Sequence, residues 1–149
     1  MEDDLKSWVF FAENDIISAK ELLYNPRLTG EVAFHCQQAI EKYFKAYLLK
    51  YNKQIPKIHD LLKLYGEVKK IQDWGLEEEM LITIRNLYTE SCYPGDELVK
   101  PEGSLPTEEE AKSYLEFAER VESAFKSFNH ASSRNSPMAK STPTQQATQ

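Results

Sequence analysis

The sequence predicts an all-α fold, an antiparallel bundle of four to five helices. Apolar residues recur at three- and four-residue intervals along most of the chain, which is the period of a one-sided helix. No alternating strand pattern of useful length interrupts them. Prolines fall between the periodic stretches, where a helix has to stop. At 149 residues the chain is long enough to bury one ordinary core.

The first helix is expected over residues 4–24, where Leu5, Trp8, Val9, Ala12, Ile16, Ala19, Leu22 and Leu23 form one apolar stripe. Asp3 or Asp4 is available as its N-cap, and Asn25-Pro26 ends it. A second helix over roughly 31–51 carries Ala33, Phe34, Ala39, Ile40, Tyr43, Phe44, Tyr47 and Leu48. Its apolar surface is wider than one stripe, so it is expected at the centre of the bundle. Ile55-Pro56 breaks the chain again. A shorter helix follows over about 59–71, with Leu61, Leu62, Tyr65, Val68 and Ile71 inward.

A fourth helix is expected from about 75 to 91 through Leu76, Met80, Leu81, Ile84, Leu87 and Tyr88, stopped by Tyr93-Pro94-Gly95. Residues 92–106 read as a loop. The fifth starts at Thr107, because Thr107-Glu108-Glu109-Glu110 fits a capping box. Its inner face is Ala111, Tyr114, Leu115, Ala118, Val121 and Phe125, and the pattern fades near Phe128. Residues 1–128 are thus read as the bundle and 129–149 as a flexible Ser/Thr/Gln-rich tail, too poor in large apolar residues to offset its ordering entropy.

Composition excludes several classes of protein. No run approaches the roughly 18 apolar residues of a membrane span. The acidic opening Met1-Glu2-Asp3-Asp4 is unlike the basic start of a signal peptide. Cys36 and Cys92 form no framework and read as reduced thiols, which points to the cytoplasm. The net charge of −6 is unevenly spread. Residues 1–41 carry 3 basic and 8 acidic side chains, and residues 71–128 carry 5 basic against 14 acidic. Between them, residues 42–70 carry 8 lysines against Asp60 and Glu67. An acidic protein repels a polyanion at long range, but the local lysine stripe suits a nucleotide or a short RNA as well as a plain solvated face.

The polar residues of the second helix are the most unusual. His35, Gln38, Lys42 and Lys45 are spaced to share one face about 15 Å long. An imidazole, an amide and two ammonium groups suit a phosphate or a base edge; equally, two solvated lysines and a hydrogen-bonded histidine would need no ligand. His59-Asp60 opens the third helix, where Asp60 has a ready role as cap. On the fourth helix Arg85 precedes Tyr88, Glu90, Ser91 and Tyr93, and it could grip a phosphate or pair with a glutamate at 77–79. His35 and Cys36 are adjacent and face different ways, leaving no metal-ligand spacing, and no cofactor is expected. Phosphate-loop, dinucleotide and zincin signatures are missing.

The succession FHCQQAIEKYFKAYL, IPKIHDL, IRNLYTESCYPG and PTEEEAKSYLEFAERV resembles the HEPN family of small helical-bundle proteins over roughly residues 5–128. The resemblance rests most on the run at 35–42, on His59-Asp60-Leu61 and on Tyr93-Pro94. It implies a homodimer, often associated with a separately encoded minimal nucleotidyltransferase in two-component toxin–antitoxin systems. Many such proteins look like metal-independent ribonucleases that use an arginine and a histidine four to six residues apart on one helix. Here Arg85 fits the arginine, but the histidine positions hold Glu90, Ser91 and Cys92.

The leading expectation is a non-catalytic HEPN protein that binds a nucleotide or RNA end through His35, Gln38, Lys42, His59, Asp60, Arg85 and Tyr93. A divergent ribonuclease using Arg85 with Glu90, or with a histidine brought close by the fold, is the enzymatic alternative. The third is a dimeric interaction module whose aromatic-rich second helix is the interface.

Overall fold

The computed structural model describes residues 2–51, 53–92 and 105–135. Among the described residues there are five α-helices and no strand. They are α1 (Glu2–Leu22), α2 (Thr29–Lys50), α3 (Leu61–Lys69), α4 (Glu78–Cys92) and α5 (Glu108–Asn135), with a 3₁₀ turn at Pro26–Leu28 between the first two.

The periodic residues become the core. Ala12, Ile16 and Ala19 of α1 are buried against α2, whose Tyr43, Phe44, Tyr47 and Leu48 are almost wholly inaccessible. Helix α2 touches α1, α3, α4 and α5. A helix apolar around most of its circumference can bury that surface only in the middle. Tyr43, Phe44 and Tyr47 are therefore taken up by the core, while Phe34 of the same helix stays half-buried. The exposed large apolar residues of this region lie on α1 and just beyond its end: Phe10 (57 %), Phe11 (54 %), Ile17 (56 %) and Tyr24 (89 %).

Side-chain pairs give the helix directions. Asp15 of α1 meets His35 and Lys42 of α2, while Trp8 meets Lys45, so α1 and α2 are antiparallel. Lys20–Glu119 and Glu13–Lys126 pair α1 with α5 in the same antiparallel sense. Helices α2 and α5 consequently run parallel, as Tyr43–Glu122 and Lys50–Asn129 show.

Local chemistry sets the boundaries. Helix α1 already starts at Glu2, so Asp3 and Asp4 occupy its first turn instead of capping it, where the helix dipole still favours them. Asp60 caps α3 by accepting from the backbone N–H of Leu62 (3.0 Å) and Lys63 (3.1 Å). Helix α4 begins three residues later than the pattern predicts. Gly75 adopts φ 69°, a left-handed conformation that no helix continues through. The turn there is held by Tyr65, whose hydroxyl donates to Asp73 (2.9 Å) and accepts from the N–H of Trp74 (3.2 Å) and Leu76 (3.1 Å). Trp74 is thereby set into the core beside Phe44, Tyr47 and Phe125.

The capping box forms at the start of α5. Thr107 Oγ1 accepts from Glu110 N at 3.0 Å and Glu110 Oε1 accepts from Thr107 N at 2.9 Å. Thr107→Ala is expected to cost about 1 kcal/mol, and Thr107→Ser much less. Urea unfolding of the two variants measures this, and equal stabilities would show that the cap does not hold the helix. At its other end α5 continues to Asn135, past Phe128 where its apolar pattern fades. Lys50 Nζ binds the Asn129 carbonyl at 2.7 Å and fastens this last part to α2.

Candidate functional site

The face expected on α2 divides between two carboxylates. On the α1 side His35 Nδ1 lies 2.8 Å from Asp15 Oδ1, and Lys42 Nζ donates to Asp15 Oδ2. Asp15 is 8 % exposed. A carboxylate at that depth needs partners, and the helix pairing supplies two.

Elsewhere on α2, Glu41 gathers the rest. Its Oε1 accepts from Gln37 Nε2 at 3.0 Å. Its Oε2 accepts from Lys45 Nζ at 2.9 Å and lies 2.8 Å from His59 Nδ1. Gln38 Nε2 donates to the side-chain oxygen Oε1 of Gln37 at 2.7 Å, which extends the chain of polar contacts outward. Glu41 and Lys45 are each 6 % exposed. Burial pushes the Glu41 carboxyl up, but hydrogen bonds from Lys45, His59 and Gln37 outweigh it and leave the group below its ordinary range.

The His59-Asp60 step links this cluster to α4. While His59 reaches Glu41, Asp60 uses Oδ1 for the α3 cap and Oδ2 for Arg85 Nη1 at 3.3 Å. Arg85 Nε also donates to Asn86 at 3.1 Å. Arg85 is therefore fixed by the cap of α3 and not by the glutamates at 77–79; Glu77 pairs with Arg120 of α5.

Of the residues singled out in the sequence, His59 joins the Glu41–Lys45 pair, while Asp60 and Arg85 pair with each other. His35 and Lys42 form a separate group on Asp15, and Gln38 touches only the edge of the Glu41 cluster. Tyr93 lies outside the described residues, and Glu90 is described only as backbone of α4. The sequence reading missed Asp15 and Glu41, the carboxylates that hold His35, Lys42, Lys45 and His59. Both left a signal. Gln37-Glu41-Lys45 is a run of i,i+4 pairs in the favourable Glu-before-Lys order. Asp15 interrupts the core-facing stripe of Ala12, Ile16 and Ala19.

Cys36 lies fully buried nearby, and burial, with Glu119 and Asp15 adding to it, raises its thiol to about 12. It is no nucleophile at neutral pH. Among the described residues no cluster of three or more metal-ligating side chains occurs, and no helix is long and apolar enough to cross a membrane.

The HEPN domain family profile matches residues 5–128 of the chain. Among solved structures the fold is similar to the crystal structure of TT1696 from Thermus thermophilus, with a TM-score of 0.68 and 21 % sequence identity. That similarity covers 83 % of this chain and 96 % of that one, and at such identity it speaks for the fold alone. No curated protein matches the chain.

Proposed function

The chain belongs to the HEPN domain family, and we propose that it is a non-catalytic member that binds a nucleotide or an RNA end. In this reading Arg85 and His59 hold the phosphate side of the ligand, and Asp60 positions Arg85. The lysines of the 42–70 segment supply the local positive potential against an acidic whole. The single observation that carries the reading is that two adjacent residues ahead of α3 reach two different helices, His59 the Glu41–Lys45 pair of α2 and Asp60 the Arg85 of α4, in a chain whose residues 86–92 hold no histidine. Ribonuclease chemistry of the family type needs arginine on the scissile phosphate and histidine on the proton of the 2′-hydroxyl. Only the first is present on α4.

Pairing with a separately encoded minimal nucleotidyltransferase, in a toxin–antitoxin-like system, belongs to the same proposal and rests on the family. So does a homodimer, for which the exposed Phe10 and Ile17 of α1 are the available surface. A cytoplasmic location accords with the free, buried thiol of Cys36.

A second reading, a divergent metal-independent ribonuclease, is favoured by one observation. His59 is the chain neighbour of Asp60, which holds Arg85, and this reading takes it as the proton-moving histidine that α4 lacks. One experiment separates the two. ATP and a short single-stranded RNA are titrated by calorimetry without metal, and the RNA is then recovered on a gel. Binding with intact RNA, weakened about tenfold or more in Arg85→Ala, is the expected result. Cleavage that disappears in both Arg85→Ala and His59→Ala would replace it with the ribonuclease. Neither heat nor cleavage would leave an interaction module.

A further inference from the structure

The antiparallel packing of α1 on α2 makes a groove with aromatic side chains on one wall and lysines on the other. Phe11 of α1 lines one part of it with Lys42 of α2. One turn away Trp8 faces Lys45, whose Nζ stands 5.9 Å from the indole centroid, within reach of a cation–π attraction. Trp8 is a shared wall. On one flank lies an open-sided cleft of about 220 Å³ bounded by Asp4, Ser7, Phe11 and Lys42. On the other lies a larger one of about 450 Å³ bounded by Lys45, Ile55, Pro56, Lys57 and His59.

The charges in the groove are not equivalent. Lys42 answers Asp15 and Lys45 answers Glu41, so both are largely neutralised within the fold. Lys57 is exposed and makes no ion pair among the described residues. His59 has its Nδ1 on Glu41 while 65 % of its side chain faces solvent. The uncompensated positive charge therefore sits at the mouth of the larger cleft, and Asp4 makes the smaller one unfavourable for an anion. Trp8 and Phe11 are one turn apart, about 4.5 Å along the helix axis.

We infer that the α1–α2 groove is a stacking track for a single-stranded nucleic-acid segment. One base lies on Trp8 within the larger cleft, the next lies toward Phe11, and the phosphate is held by Lys57 and His59. Planar faces interleaved with cations are what sequence-tolerant single-strand binding requires. The ligand is then a strand and not a free mononucleotide, because two ring-sized spaces share one aromatic wall. This rests on the nucleotide- or RNA-binding reading above, and it adds Trp8, Phe11 and Lys57 to its residues.

The test is titration of the full chain with an eight-nucleotide oligoadenylate and, separately, with AMP, followed by tryptophan fluorescence and calorimetry. Trp74 is buried in the core and serves as constant background. The oligomer is expected to quench Trp8 and to bind at least about tenfold more tightly than AMP. Lys57→Ala should weaken it about tenfold and flatten its salt dependence. Trp8→Leu should weaken it further, with Trp8→Phe restoring part of the loss. Lys57 is exposed, so that variant reports on the groove even where Trp8→Leu folds poorly. AMP binding as tightly as the oligomer would overturn the strand assignment. Oligomer affinity equal in wild type and Lys57→Ala, with no change in Trp8 emission, would overturn the groove and leave the proposed function standing through Arg85. No binding of either ligand would overturn both. Stronger quenching by a Glu-Tyr acidic peptide than by the oligomer would overturn the nucleic-acid assignment and give the groove to a protein partner instead.

Discussion

Glu41→Ala is expected to destabilise the protein by about 3–5 kcal/mol, the cost of removing one partner from a buried ion pair. Lys45 is left behind with 6 % exposure, and the donors of Gln37 and His59 lose their acceptor as well. The charge is costly because it is stranded, which gives the prediction a second limb. Glu41→Leu combined with Lys45→Met is expected to recover most of the loss, since well-packed apolar pairs replace buried ion pairs at little cost. Urea unfolding at neutral pH measures both; a single-variant loss below about 1 kcal/mol would show that water reaches Lys45. The same carboxylate sets an acid limit. Its folded pKa lies below the ordinary value of 4.5, so its contribution is fully present above 4.5 and is lost as pH falls through the lower folded value. The wild type should therefore lose stability on acidification below 4.5 more steeply than the double variant.

Phe44→Ala is expected to cost about 3–5 kcal/mol as well, for a different reason. The ring is fully buried on α2, its centroid 5.5 Å from that of Tyr65, on which it stacks, and 5.6 Å from that of Trp74. Removing it leaves a cavity between α2 and the α3–α4 turn that those stiff rings cannot close. Phe44→Leu, which keeps most of the volume, should cost much less. Because Trp74 borders the cavity, its emission should shift in Phe44→Ala before the global transition. A loss below about 1 kcal/mol would mean that the α3–α4 turn collapses into the space.

Helix identity was legible in this sequence because each α-helix carries its own period and its own stops. The capping box at Thr107 and the cap at Asp60 are short-range chemistry, and both are present in the structure. The apolar period places the start of α4 too early, because Leu76 keeps that period although it lies in a turn. What decides that boundary is Tyr65, eleven residues earlier in the chain, which binds the Leu76 N–H. The candidate site was legible only as a list. Lys42 and Lys45 share a face by spacing, yet they serve carboxylates on different helices, and only packing decides which. Trp8 reads as one more member of an apolar stripe. That it stands at the edge of the core, between two clefts, depends on where the 53–60 segment passes.

The parallel course of α2 and α5 has a consequence for any tether on this protein. Helix α1 starts, and α2 and α5 end, at the same end of the bundle, while the Pro26–Leu28 turn lies at the opposite end. There Gly30 and Leu105 also meet, a Cβ placed on Gly30 lying 3.4 Å from the Leu105 side chain. Trp8 belongs to the early part of α1 and Lys45 to the late part of α2, so the larger cleft lies nearer the shared end. A group fused directly ahead of α1 is thereby held near that cleft at a high effective concentration. It would compete with a free ligand through proximity alone. A label placed at Tyr24, on the far end and 89 % exposed, would observe the same protein without that competition.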